Sequence, residues 1–141
     1  MANVAYVAAG VRTVSATSSQ LTTGVLGEAV TRGQPLYQSS TDSKYYLADG
    51  NTVDPAPAAF AAYALDTGVE NDTISIQTGG IIYLGVDVTQ GMVYFVSDEV
   101  GETESGDTAL ASGLNPTVIG YGNADNELVI DVTVVGLAIY P

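Results

Sequence analysis

Polar and apolar residues alternate along much of this chain with a period of two. Thr73-Ile74-Ser75-Ile76-Gln77 is the clearest case, the pattern of a strand with one face in a core. Gly91-Met92-Val93-Tyr94-Phe95-Val96-Ser97 is a β-branched and aromatic run opened by a glycine. Leu128 to Ile139 is rich in Val and Ile, with Gly136 as the expected bulge or bend. Val25–Val30, Pro35–Gln38, Lys44–Ala48, Ile81–Val88 and Thr117–Tyr121 complete the predicted strands. Turn-forming Gly, Asp, Asn and Ser separate them about every ten residues, the spacing of an all-β sandwich or barrel.

One segment has the opposite local preference. Ala58-Ala59-Phe60-Ala61-Ala62-Tyr63-Ala64-Leu65 is a good helix former by composition. A repeat elsewhere in the chain decides against a helix. Leu26-Gly27-Glu28-Ala29-Val30-Thr31-Arg32-Gly33 matches Leu84-Gly85-Val86-Asp87-Val88-Thr89-Gln90-Gly91 at five of eight positions, at an offset of 58. The same offset carries Tyr63 onto Tyr121, Ile74 onto Val132 and Ile76 onto Val134, while Tyr37 pairs with Tyr94 after a one-residue slip. It lays the Ala-rich segment over Pro116–Tyr121, which reads as strand. The expectation is one β domain over residues 20–141 made of two similar motifs, about 24–80 and 82–139, with residues 1–19 as an N-terminal arm or strand. The Thr-x-Gly units (Thr31 to Gly33 and Thr89 to Gly91) read as turns leading into Tyr-bearing strands.

Composition narrows the function. With 141 residues, the chain is long enough to bury a core without staples. Three cations (Arg12, Arg32, Lys44) face sixteen acids, for a net charge of −13. Nucleic acid is bound by neutralising phosphates, which three scattered cations do not do, and anionic membranes are disfavoured on the same ground. No apolar run reaches the ~18 residues that cross a bilayer, and the N-terminus shows no basic-then-apolar leader. There is no Cys and no His, which removes thiolate chemistry, the triads built on imidazole and most zinc sites.

The remaining catalytic candidates are weak. Ser43 beside Lys44 reads as a turn, because Asp42 and Asp49 lie close in sequence and favour the charged amine. Gly120-Tyr121-Gly122 is half of a dinucleotide fingerprint, but a turn and a strand follow it rather than a helix. Paired carboxylates arise by accident among sixteen acids. Ser97 to Asp107 holds five carboxylates without the EF-hand spacing; it reads as a solvated loop, with calcium the alternative. The expectation is a non-enzyme with no catalytic, cofactor or metal residues.

Gly33-Gln34-Pro35-Leu36-Tyr37, Lys44-Tyr45-Tyr46-Leu47-Ala48-Asp49, Tyr63-Ala64-Leu65, Ile76-Gln77-Thr78-Gly79-Gly80 and Gly91 to Ser97 together form a series that resembles the small capsid decoration (cement) proteins of tailed bacteriophages, over roughly residues 20 to 135. The resemblance implies a β-rich protein on the exterior of an icosahedral virion, bound to the major capsid protein, as a homotrimer at local three-fold positions. The alternative is a carbohydrate- or receptor-binding β module of a phage fibre or surface appendage, for which the nine Tyr are suited and the missing Trp is not.

The expected partner-binding residues are Val4, Tyr6, Val7, Arg12, Arg32 and Lys44. Asn3-Val4-Ala5-Tyr6-Val7-Ala8-Ala9 is apolar and lies outside the repeated unit. An apolar end without a partner in its own domain finds another surface. On this reading, deleting residues 1–12 weakens assembly and leaves the core folded. The three cations are the candidate polar anchors.

Overall fold

The computed structural model describes residues 3–14, 20–50, 59–97, 99–105 and 117–134. Within them lie one 3-10 turn, Ala8–Gly10, and strands β1 (Val11–Thr13), β2 (Gln20–Val25), β3 (Pro35–Gln38), β4 (Tyr45–Leu47), β5 (Ala62–Ala64), β6 (Thr73–Leu84), β7 (Val93–Val96), β8 (Thr103–Ser105), β9 (Thr117–Gly122) and β10 (Leu128–Val134). The protein is all-β: one antiparallel sheet curls into a half-barrel in the order β4-β3-β5-β6-β10-β9-β7-β8. Strand β6 is its spine. Its first half pairs with β5 and β2, and its second half with β10 and β1. Between the halves the pairing with β2 shifts register beside Gly79, and Gly80 takes a positive φ of 86°. The strand bends there and serves both halves of the sheet.

The pairings of the two halves repeat at the offset seen in the sequence. Leu36, Tyr37 and Gln38 oppose Leu47, Tyr46 and Tyr45; 58 residues on, Tyr94, Phe95 and Val96 oppose Ser105, Glu104 and Thr103. Pro35 opposes Tyr63 as Val93 opposes Tyr121. The turns repeat as well: Gly33 N–H donates to Ala64 C=O and Gly91 N–H to Gly122 C=O, both at 2.9 Å. The Thr-x-Gly units are turns, closed by Gln34 N–H on Thr31 C=O and Met92 N–H on Thr89 C=O. The described part of the Ala-rich segment carries β5, not a helix. Pairing with β3 and β6 supplies hydrogen bonds and burial that outweigh alanine's local preference.

Several boundaries differ from the sequence reading. Phe95, not Tyr94, stands where Tyr37 stands, so there is no slip. Ile76 opposes Ala64 as Leu128 opposes Gly122, which places the last strand six residues earlier than the offset requires. The connection 65–75 of the first half is cut to 123–127 in the second, so Ile74 and Ile76 do not correspond to Val132 and Val134. The strand expected over Val25–Val30 is displaced to β2, and Leu26 and Val30 form only isolated bridges. Gly27, in the bend that follows, lies against the Tyr46 ring, where a Cβ would collide. The strand expected over Ile81–Val88 stops at Leu84, where Gly85 turns the chain with a φ of +77°. Beyond Val134 the last predicted strand, with Gly136, lies outside the described residues.

Each half has its own core. Leu26, Val30, Leu36, Ala62, Ala64, Ile74 and Ile76 fill the first, with Tyr45 and Leu47 packed against it. Leu84, Val88 and Tyr94, the counterparts of Leu26, Val30 and Leu36, sit in the second with Ile82, Leu128 and Ile130. The counterparts of Tyr45 and Leu47 are the smaller Thr103 and Ser105. Into the second core come Phe60 and Tyr63 from the first half, and Val4 and Tyr6 from the N-terminus. Phe60 and Tyr63 pack ring to ring at 5.0 Å, and the Tyr63 hydroxyl hydrogen-bonds Thr103 Oγ1 at 2.6 Å.

Residues 3–13 are thus tied into their own chain, in the strand form of the arm-or-strand expectation. Val4 N–H donates to Thr103 C=O and Val7 N–H to Leu84 C=O, and β1 then pairs along Leu84, Tyr83 and Ile82. In the first half the matching carbonyls, Tyr45 and Leu26, are served by Gly27 and Asn71. The N-terminal segment is a strap that supplies to the second half the donors that the first half supplies for itself. Gly85 is the point where strap and turn meet. A Cβ there would run into the Val7 carbonyl, in a conformation that L side chains rarely adopt. Gly85→Ala is expected to cost about 2–4 kcal/mol in urea denaturation; a cost under ~0.5 kcal/mol would show that the strap yields freely.

Candidate binding surface

Five of the six expected contact residues come together around the strap. Val4 and Tyr6 pack against the second core and Val7 is exposed. Arg12 is exposed, its guanidinium 5.1 Å from the centroid of the Tyr83 ring. Arg32 belongs to the strap by its contacts: its Nη2 donates to the Val11 carbonyl, and its backbone N–H donates to Thr67 Oγ1 at 3.1 Å. Gly33, next to it, has Tyr6 and Val11 against its Cα. Arg32 is a half-buried clamp on the strap, which the sequence reading had taken for a surface anchor. Lys44 lies elsewhere, in the β3–β4 turn, where its Nζ donates to Asn71 Oδ1 at 2.8 Å.

The larger feature is a row of side chains on one face of the second half. Directly opposed residues in neighbouring strands share a face. Val93 opposes Tyr121, Tyr121 opposes Val129, and Val129 opposes Ile81, so the row crosses β7, β9, β10 and β6. Val93 is 39% exposed and Tyr121 43%. The matching row in the first half, Pro35, Tyr63 and Gln77, is buried, with Tyr63 and Gln77 fully covered. The Gln77 amide is satisfied there: Nε2 donates to Gly79 and Ile81 C=O at 3.0 Å, and Oε1 accepts from the Thr13 hydroxyl at 2.9 Å. The row that holds a glutamine is therefore inside, while the matching apolar row is exposed at Val93 and Tyr121 and half-buried at Val129 and Ile81. Sequence reasoning missed this row, since Tyr121 and Tyr63 look alike at the same register.

The chemical candidates resolve into structural roles. Ser43-Lys44 is in a hairpin turn with Ser43 at φ +62°. Asp42 caps it: Oδ1 accepts the Lys44 N–H at 2.9 Å and Oδ2 the Tyr46 hydroxyl at 2.6 Å. The Tyr46 hydrogen bond, then that from the Lys44 backbone, hold the Asp42 carboxyl below the usual range, while the same carboxylate pushes the Tyr46 phenol up to about 12. Gly120-Tyr121-Gly122 is part of β9; Gly120 is needed because a Cβ would collide with the Val129 carbonyl. The acidic run is not wholly a solvated loop. Thr103–Ser105 is a strand, and Glu104 is buried beside Ser97, whose Oγ lies 3.4 Å from Glu104 Oε1. Among the described residues no group of three or more His, Cys, Asp or Glu side chains could hold a metal ion.

Glu102 faces the strap, and its charge, after burial, raises the Tyr6 phenol. Partial burial, then the Glu99 charge, raise its carboxyl above the ordinary value. A carboxyl raised in the fold favours folding below its unfolded pKa of ~4.3, and that contribution is lost as pH rises through the folded value. Glu102→Gln is therefore expected to raise the melting temperature at pH 7, with the advantage gone below pH ~4. A melting temperature unchanged at pH 7 would mean that the ionised side chain carries no penalty.

No family model matches the chain, and no curated protein or solved structure matches it either.

Proposed function

We propose that this chain is a non-catalytic virion structural protein that decorates the outside of an icosahedral bacteriophage capsid, as a homotrimer, and stabilises it by bridging major capsid protein subunits. The observation that carries the reading, beside the resemblance of its strand motifs to capsid decoration proteins, is the apolar row Val93, Tyr121, Val129 and Ile81, exposed at Val93 and Tyr121 and half-buried at Val129 and Ile81. An apolar strip across four strands, whose counterpart in the same chain is covered, fits a surface used by a partner. A ligand that binds only the joined subunits stabilises the joined state by its binding free energy, and subunits are joined only in the shell.

The test is to mix the purified chain with expanded, undecorated shells of the phage that encodes it and count bound copies by electron cryomicroscopy. Ordered density on the shell surface, with no binding to free capsid subunits, supports the reading; bare shells overturn it. Tyr121→Asp is expected to lower shell affinity by about tenfold or more, because it sets a charge in an apolar contact. Its circular dichroism should match that of the parent, since Tyr121 is partly exposed. Unchanged occupancy would remove the row from the contact. One feature favours the alternative, a carbohydrate-binding module: Tyr37 and Tyr46 are stacked at 5.8 Å, with planes 27° apart. Glycan-array binding without shell binding would decide for it.

A further inference from the structure

The two halves differ at their seams. In the second half the strap fills the gap between β8 and the end of β6: Asn3 bridges Glu104, Val4 N–H donates to Thr103 C=O, Val7 N–H donates to Leu84 C=O, and β1 pairs along Leu84 to Ile82. The matching gap in the first half, 58 residues earlier, lies between β2 and the β3–β4 hairpin. Its walls meet at one end, where Leu26 and Tyr45 form a parallel bridge and Gly27 N–H donates to Tyr45 C=O. Beside that closure lies an open pocket of about 360 Å³, whose lining includes Thr23, Gln38, Asp42, Ser43, Lys44 and Tyr45.

The walls of the two gaps differ in chemistry. In the second half Ile82 and Val96 share a core with Val4, Tyr6 and Val11 of the strap. Their first-half counterparts are Gly24 and Gln38. Gly24 makes room for the Tyr45 ring, since a Cβ there would stand 2.6 Å from it. Gln38 is exposed. An apolar segment like the strap has no matching wall here, whereas a polar ligand with one apolar face does.

The polar groups of the pocket are already oriented by the chain itself. Asp42 takes the Lys44 N–H at 2.9 Å and the Tyr46 hydroxyl at 2.6 Å. Lys44 Nζ donates to Asn71 Oδ1 at 2.8 Å, and Gln38 Nε2 to Ser43 C=O at 3.0 Å. Side chains fixed in advance lose little entropy when a ligand binds. A carboxylate accepts several hydrogen bonds, an ammonium donates three, and the Thr23 and Ser43 hydroxyls do both. Asp42 and Lys44 balance in charge, while the net charge of −13 disfavours anions. The volume is at the small end of ligand pockets. These features select a small, neutral, hydroxyl-rich molecule whose ring can lie on an aromatic side chain.

We propose that the pocket between β2 and the β3–β4 hairpin binds a neutral saccharide, with one sugar ring against Tyr45 and its hydroxyls on Asp42, Lys44 and Thr23. Asp42 also joins the pocket to the Tyr37–Tyr46 stack through the Tyr46 hydroxyl, so a second sugar has an aromatic surface to continue onto. The site is in the first half and the apolar row Val93 to Ile81 is in the second, so saccharide binding does not depend on shell binding.

The test is saturation-transfer NMR on the purified chain with cellotriose, maltotriose, chitotriose and mannotriose. No shells are present, so the result is read separately from shell occupancy. At least one of the four is expected to bind, with a dissociation constant of about 1 mM or tighter. Thr23→Trp sets a bulky ring at the pocket from an exposed position on β2, and should weaken binding about tenfold or more. Should that variant misfold, Lys44→Ala decides: it removes an exposed hydrogen bond to Asn71 and should weaken binding about tenfold. No transfer to any of the four trisaccharides, or binding that both variants leave unchanged, overturns the proposal.

Discussion

Replacing Tyr63 by alanine is expected to destabilise the protein by about 3–5 kcal/mol, whereas the same change at Tyr121 costs under ~1 kcal/mol. The two tyrosines occupy matching positions, each opposite the first residue of a β-hairpin, Pro35 and Val93. Their surroundings decide the outcome. Tyr63 is fully buried in the core of the other half, against Phe60, with its hydroxyl on Thr103. Its truncation leaves a ring-sized cavity at the junction of the halves and strips the Thr103 hydroxyl of its partner, and both effects add. Tyr121 loses a side chain that water already reaches. Urea denaturation of the two variants side by side provides the measurement, and equal costs would show that the halves do not pack as described. Alkaline pH gives a second readout. Burial pushes the Tyr63 phenol up, and the effect of Tyr94 adds to it. Its contribution to stability is therefore complete below the ordinary tyrosine value of ~10 and lost as pH rises beyond it. Tyr63→Phe should lose less stability than wild type between pH ~9 and ~11.

Much of this architecture was legible in the sequence, because period-two alternation and a constant offset report local and pairing geometry directly. Thr73 to Gln77 falls in β6, Pro35–Gln38 is β3 without change of boundary, and the offset carries β3 onto β7 and β4 onto β8 residue for residue. It also overruled alanine's helical preference at β5 correctly. What failed depends on the environment of a residue rather than on its identity. Tyr63 and Tyr121 are the same residue type at the same register, yet Tyr63 is buried in the other half's core with its hydroxyl on Thr103 and Tyr121 is 43% exposed. No periodicity in the chain carries that information. Glu104 looked like one acid in a solvated run, although Thr103-Glu104-Ser105 pairs with β7. The apolar N-terminus was read correctly as needing a surface. Of the two forms expected for it, arm or strand, the described residues show a strand on the chain's own second half. The second half lacks the longer connection that serves Leu26 in the first, and the strap stands in its place at Leu84.

Deleting residues 1–12 is consequently expected to damage the fold before it affects any assembly. Val11 is fully buried in the second core, and Val4 and Tyr6 pack against it. Burial of a single Val contributes about 1.5–3 kcal/mol, so loss of the three side chains removes several kcal/mol from a total that is typically 5–15. The damage should be uneven. Without the strap, the Thr103 and Leu84 carbonyls lose their donors, β6 loses its neighbour at Leu84 and Tyr83, and Arg32 loses the Val11 carbonyl that anchors its guanidinium. The first half keeps its own core and its own seam bond between Gly27 and Tyr45. Hydrogen exchange on the truncated chain should therefore quicken at Ile82 to Leu84 and in β7 and β8, while β3, β4 and β5 stay closer to their original protection. Tyr6→Ala, which leaves the backbone of the strap in place, should produce the same pattern in milder form. A truncated chain that melts at the parent temperature, with exchange unchanged in β8, would restore the strap to a free arm and move its role from the fold to the partner.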